Sequence, residues 1–148
     1  MAHEKVVVTG GAGFIGSHIV DALVERGFDT HIVDNFAGGR HEERINAGAT
    51  YHEVDIRDEE ELPKTLEGAK YVFHEAALPR VQFSIEHPLE TFSVNAHGTA
   101  CVLKAAHAAG VSRVVYAASS SAYGDQEKLP LSEDMPAQPK SIRRRRPK

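Results

Sequence analysis

Short β-branched runs alternate with stretches of helical periodicity along the chain. Lys5–Thr9 is apolar without polar alternation, which suits a strand covered on both faces. Residues 30–33, 50–54, 70–74 and 111–118 read as four further strands, 50–54 being a weaker one. Ile15, Ile19, Ala22, Leu23 and Val24 recur near helical spacing, predicting a helix over 14–26 that stops at Gly27. A short polar helix is predicted over 40–47. Asp58 and Glu61, at capping-box spacing, open another that runs to about Leu66. Pro88 suits a first helical turn, and Leu89, Phe92, Ala96, Thr99, Val102, Leu103 and Ala106 continue the pattern to Gly110. Beyond the fifth strand, Tyr123-Gly124-Asp125 and Pro130, Pro136 and Pro139 predict a loop. Strands separated by helices predict an α/β fold, a doubly wound parallel sheet in the order 3-2-1-4-5. The ligand crevice should lie beside strand 1, where the order reverses.

Composition narrows the class without choosing a function. A length of 148 residues, 41% hydrophobic and 26% charged, fits one globular domain with a real core. No apolar run approaches the ~18 residues of a membrane span, and the first residues lack a signal-peptide core. The single cysteine, Cys101, precludes an internal disulfide and fits a cytoplasmic protein; its apolar neighbours at helical spacing mark it as a small core residue. The nine histidines show no metal-ligand spacing, so no metal is assigned. The net charge of -4 hides a division. Residues 1–142 carry 12 basic against 21 acidic groups, and Arg143 to Arg146 with Lys148 add five positive charges at the end.

Candidate chemistry starts at the first strand–helix junction. Gly10, Gly13 and Gly16 satisfy Gly-x-x-Gly-x-x-Gly, and Gly11, Gly13 and Gly16 satisfy Gly-x-Gly-x-x-Gly. Glycine is needed because the turn is tight and a pyrophosphate must approach the backbone, with the helix N-terminus facing the anion. Asp34 closes the second strand 18 residues after Gly16, where a carboxylate can accept hydrogen bonds from the adenosine ribose. It would repel a 2′-phosphate, so NAD is favoured over NADP. Such a turn also occurs in other α/β proteins, where an aspartate merely ends a strand.

Several downstream segments extend this pattern: Asp34-Asn35, Val54-Asp55-Ile56, His74-Glu75-Ala76-Ala77-Leu78, Val94-Asn95 with Gly98-Thr99, and Ala118 to Asp125. Taken with the glycine loop, they resemble the extended short-chain dehydrogenase/reductase family, in particular its NAD-dependent nucleotide-sugar epimerases. The resemblance runs from Lys5 to about Ser141 and implies a Rossmann-type domain over residues 1–141. It makes Gly10, Gly11, Gly13, Phe14, Ile15 and Gly16 the cofactor-binding turn and sets Asp34 and Asn35 at the adenosine ribose. Asp55 and Ile56 would lie by the adenine. Ala76, Ala77 and Leu78 would pass the phosphates and nicotinamide ribose, with Asn95 close to them and to the active site. Ser119, four residues before Tyr123, would hydrogen-bond the reacting sugar oxygen, with Ser120 and Ser121 in reach of the sugar. Each has a structural alternative: Asn95 bonding backbone in its own helix, and Ser119 to Ser121 forming a turn at the strand end. Asp58 to Glu61 reads as a solvated helix start rather than a catalytic cluster.

The implied reaction is inversion at C4 of a UDP-hexose, by hydride transfer to NAD and back while a tyrosine phenolate takes the O4 proton. The phenol needs a neighbouring ammonium to ionise at neutral pH, and a lysine four residues later supplies it. Here the chain departs from the pattern. After Pro139-Lys140-Ser141 the tyrosine is expected at position 143 and the lysine at 147, but Arg143 and Pro147 stand there. Two explanations are open: a shifted reading frame near codon 142, testable by translating the neighbouring frame, or a genuine basic tail over 142–148. On the first, the C-terminal part of the sheet and the sugar-selecting residues are missing. Rival functions are a sugar-nucleotide 4,6-dehydratase and a non-catalytic NAD-binding segment. Dehydratases follow the hydroxyl residue with Asp-Glu, whereas Ser120 and Ser121 stand here. A homodimer is expected of the complete protein, with no nucleic-acid or membrane partner.

Overall fold

In the computed structural model, residues 3–126 and 129–138 are described. The expected tyrosine and lysine positions, 143 and 147, and the basic tail lie outside them. The chain divides into two compact units, Met1–Tyr116 and Ala117–Lys148. In the first, the elements run β1 (Lys5–Thr9), α1 (Phe14–Glu25), β2 (Asp29–Asp34), β3 (Thr50–Glu53), α2 (Glu61–Leu66) and β4 (Ala69–His74). They continue with α3 (Val81–Glu86), α4 (Pro88–Phe92), a π-helical turn (Ser93–Gly98), α5 (Thr99–Ala108) and β5 (Arg113–Tyr116). All strand pairs are parallel, in the order β3-β2-β1-β4-β5, as the alternation of elements predicts.

β1 explains why its sequence does not alternate. Val7 faces one core with Val33, Val72, Leu62, Leu66 and Val102, beneath α2 and α5. Val6 and Val8 face the other with Ile32, Val20 and Leu23, beneath α1. Successive side chains of a strand point to opposite faces, so a strand covered on both must be apolar throughout. β5 differs, with Val115 43% and Tyr116 55% exposed. No helix among the described residues is long and apolar enough to cross a membrane.

Local expectations change at several points, and one helix, α3, is not among those expected. The helix predicted over 40–47 contracts to a 3₁₀ turn at Glu42–Arg44. Asn46 ends it, because its side chain accepts the Gly48 N–H and donates to Asp21, offering the backbone an alternative to a helix. The fifth strand, expected over 111–118, is shorter at both ends: it stops at Tyr116, and it begins later because the Val111 N–H still bonds the Ala106 carbonyl at the end of α5. α3 escapes the hydrophobic pattern because its apolar pair, Val81 and Ile85, is exposed rather than buried. Asp58 does begin α2, accepting the N–H groups of Glu60 and Glu61. Glu61 turns to Lys64 instead of closing a reciprocal box.

In the second unit, Ser119 accepts the Ser121 N–H and caps a 3₁₀ turn over Ser120–Tyr123. Gln126 donates to the carbonyls of Tyr123 and Pro136.

Candidate functional site

A cleft of about 590 Å³ opens at the C-terminal ends of β1, β2 and β4, within the first unit. It lies where the sheet order reverses, the place a doubly wound fold offers a ligand. Gly10, Ala12 and Gly13 form one wall, Asp34 and Asn35 a second, and Ala76, Ala77 and Leu78 a third.

The glycine loop is built for close approach. Gly10 has φ +70, and a Cβ there would come within 2.6 Å of the Ala76 nitrogen. A Cβ on Gly16 would stand 2.2 Å from the Gly10 carbonyl oxygen, so that residue lets α1 pack onto the loop. α1 begins at Phe14 with no side-chain cap and no acidic residue in its first turn. Its 12 residues therefore present a positive helix end without a side-chain cap beside the cleft, suited to an anion. Phe14 and Ile15 are 68% and 62% exposed.

Asp34 closes the loop from the side. Its Oδ2 accepts the Ala12 N–H at 3.0 Å and its Oδ1 the Phe36 N–H at 2.8 Å. Asn35 donates to Asp55 Oδ2 at 2.9 Å, linking the ends of β2 and β3. Asp55 meets Arg57 through a bidentate pair, Nε to Oδ1 at 2.8 Å and Nη2 to Oδ2 at 2.7 Å. The Arg57 guanidinium holds the Asp55 carboxyl at about 2, below its ordinary value. Ile56 borders the cleft yet is only 5% exposed; its side chain enters the core, where it occupies the space a Cβ on Gly98 would need.

Across the cleft, burial raises the Glu75 carboxyl above its ordinary value. Asn95 does bond backbone, though not in its own helix: it accepts the Leu78 N–H at 2.8 Å and donates to the Leu78 carbonyl at 3.1 Å. Of the expected cofactor residues, Gly10, Gly13, Asp34, Asn35, Asp55, Ile56, Ala76, Ala77 and Leu78 line this one cleft, whereas Gly11, Phe14, Ile15, Gly16 and Asn95 do not. Ser119, Ser120 and Ser121 belong to the second unit.

Sequence reasoning missed the cations Arg44, Arg57 and Arg80 on the cleft wall, because single arginines in loops carry no pattern. It gave no role to His74 or Thr9, whose buried contact depends on the pairing of β1 with β4. Away from the cleft, Glu59, His97 and Cys101 bring possible ligand atoms within 4.8 Å of one another. Glu59 is already paired with Lys104 at 2.6 Å, and Cys101 is buried in the core as expected.

The sequence matches the NAD dependent epimerase/dehydratase family over residues 6–146. A UDP-glucose 4-epimerase of Corynebacterium glutamicum is 38% identical over 135 residues, covering 91% of this chain and 41% of that protein. Another, of Klebsiella pneumoniae, is 38% identical over 137 residues, covering 87% of this chain and 99% of that sequence. The crystal structure of the Thermus thermophilus UDP-glucose 4-epimerase in complex with NAD gives a TM-score of 0.82 at 38% identity. That match covers 93% of this chain and 45% of the other. The chain spans less than half the length of relatives such as the Corynebacterium glutamicum and Bos taurus proteins.

Proposed function

Because the chain belongs to the NAD dependent epimerase/dehydratase family, we propose that its cleft binds NAD as the cofactor-binding portion of a nucleotide-sugar 4-epimerase. The observation that carries this reading is the uncapped N-terminus of α1 behind Gly10 and Gly16, with the Asp34 carboxylate on the same cleft. The helix end and the backbone of the glycine loop receive the pyrophosphate, and Asp34 receives the adenosine ribose hydroxyls. Asp55, held ionised by Arg57, and the backbone at Ile56 border the adenine. The strap 75–78 carries the nicotinamide half. When bound, NAD supplies a hydride acceptor that takes hydrogen from a sugar carbon and returns it.

The substrate we assign to the complete enzyme is a UDP-hexose, with Ser119 bonding the reacting oxygen and Ser120 and Ser121 beside the sugar. Ser120 and Ser121, in place of an Asp-Glu pair, favour inversion over dehydration. The general base is the part this sequence lacks, with Arg143 and Pro147 at the tyrosine and lysine positions. The 148 residues therefore bind NAD without epimerising. Exposed Val81, Ile85, Leu89 and Phe92 on α3 and α4 support a homodimer of the complete protein. The single cysteine supports a cytoplasmic setting.

Asp34 gives the selective test. A thermal shift with each nucleotide should show stabilisation by NAD and little by NADP, and Asp34→Ala should weaken the NAD response. Equal stabilisation by NADP would remove Asp34 from the ribose site.

A further inference from the structure

The Thr9, His74 and Thr99 side chains form a chain of hydrogen bonds through the interior beneath the cleft. His74 is 2% exposed and Thr9 fully buried. His74 Nδ1 lies 2.6 Å from Thr9 Oγ1, and His74 Nε2 lies 2.9 Å from Thr99 Oγ1. The Tyr116 ring stacks on the imidazole with centroids 5.6 Å apart.

The direction of every bond follows from the two ends. At one end, the Thr99 hydroxyl donates its single hydrogen to the Asn95 carbonyl at 2.7 Å. Towards His74 it can only accept, so Nε2 carries the hydrogen. At the other end, Thr9 Oγ1 accepts the Ala76 N–H at 3.4 Å, a bond whose donor is fixed. With a neutral ring Nδ1 is an acceptor, and it takes the Thr9 hydroxyl hydrogen. The result is one ordered sequence: Ala76 N–H to Thr9, Thr9 to His74, His74 to Thr99, Thr99 to the Asn95 carbonyl. A second ring proton would aim Nδ1–H at Thr9 Oγ1 and displace the Thr9 hydrogen. Burial, which lowers the imidazole's proton affinity, acts in the same sense.

Both ends of the sequence hold the strap 75–78. Thr9 bonds it at Ala76, the residue whose nitrogen a Cβ on Gly10 would meet first. Asn95 clamps it at Leu78 through both backbone groups. His74 is what joins the two holders. We propose that His74 is a positioning residue: as a neutral Nε2–H imidazole it ties the glycine loop of β1 to the π-helical turn through Thr9 and Thr99, and so sets the strap against which the nicotinamide half of the dinucleotide lies. The inference rests on the reading of the cleft as an NAD site. The adenosine half meets other groups, Asp34 and Asp55, so His74 acts on one half of the ligand and not the other.

The test has two arms on the full 148-residue chain. The first is histidine ¹⁵N spectroscopy without nucleotide at pH 7. The expected signature is a His74 ring with a protonated Nε2 and an unprotonated Nδ1; the opposite tautomer, or a tautomeric average, overturns the proposal. The second compares NAD with AMP by chemical-shift titration of His74→Asn, His74→Gln and Thr99→Val. Asn keeps the acceptor towards Thr9, Gln keeps the donor towards Thr99, and Val keeps the shape of Thr99 without its hydroxyl. Each should lose roughly tenfold in NAD affinity, about one hydrogen bond's worth, and hold AMP affinity within about twofold. Parallel losses for NAD and AMP would mean general loosening and overturn it, as would unchanged NAD affinity. If the histidine variants do not fold, Thr99→Val carries the comparison. If the unaltered chain binds no nucleotide, the cofactor reading fails, and the role assigned to His74 fails with it even where the tautomer is as expected.

Discussion

Asp55 shows how one ion pair gives the cleft a pH signature. Its carboxyl titrates at about 2 in the folded chain, against about 3.9 for an unperturbed aspartate, chiefly through the Arg57 side chain. A depressed acid contributes stability above its unfolded value and loses it as pH falls towards the folded one. The contribution should be complete above about pH 5 and fade between about pH 4 and pH 2. Asp55→Asn should therefore lower the melting temperature at pH 7 but not at pH 2, as read by circular dichroism. An equal loss at both values would mean that packing, not charge, is what the side chain supplies. Phe36 is a second residue under constraint. It has φ 52 in the turn after β2, where Asp34 accepts its N–H, and Arg40 lies over its ring at 5.0 Å.

At the scale of elements, the start of α1 is where sequence and structure agree most closely. The apolar run before the glycines and the helical periodicity after them predict a strand, a tight turn and a helix, and all three are present. Gly16→Ala should be among the most damaging single changes, because the added Cβ meets the Gly10 carbonyl backbone rather than a yielding side chain. An overpacking cost of about 3 kcal/mol in urea unfolding is expected. A loss below about 0.5 kcal/mol would show that loop and helix can separate without penalty. The periodicity that predicts one helix from Pro88 to Gly110 conceals a π-helical turn at Ser93–Gly98. Such a turn has no sequence period of its own. It coincides with Asn95 reaching out to Leu78, a contact between segments 17 positions apart. The strap was legible as a family resemblance, but the His74 bonds that hold it were not. They depend on β1 and β4 being neighbours in the sheet, which local patterns cannot encode.

At the scale of the whole molecule, every described residue that lines the cleft comes from the unit Met1–Tyr116. On the proposed function, cofactor binding and chemistry are separable: the cleft sits in one stretch of sequence, and the positions expected to hold the base, 143 and 147, carry Arg143 and Pro147 instead. The 148-residue protein given NAD and UDP-galactose should form no UDP-glucose above background. Clear conversion would mean that another group replaces the missing tyrosine. The most direct measurement of the central claim is a calorimetric titration of NAD into the purified chain. A saturable heat with one site per chain, much reduced for Asp34→Ala, is the result expected. The absence of any saturable heat from a folded protein at millimolar NAD would contradict the account.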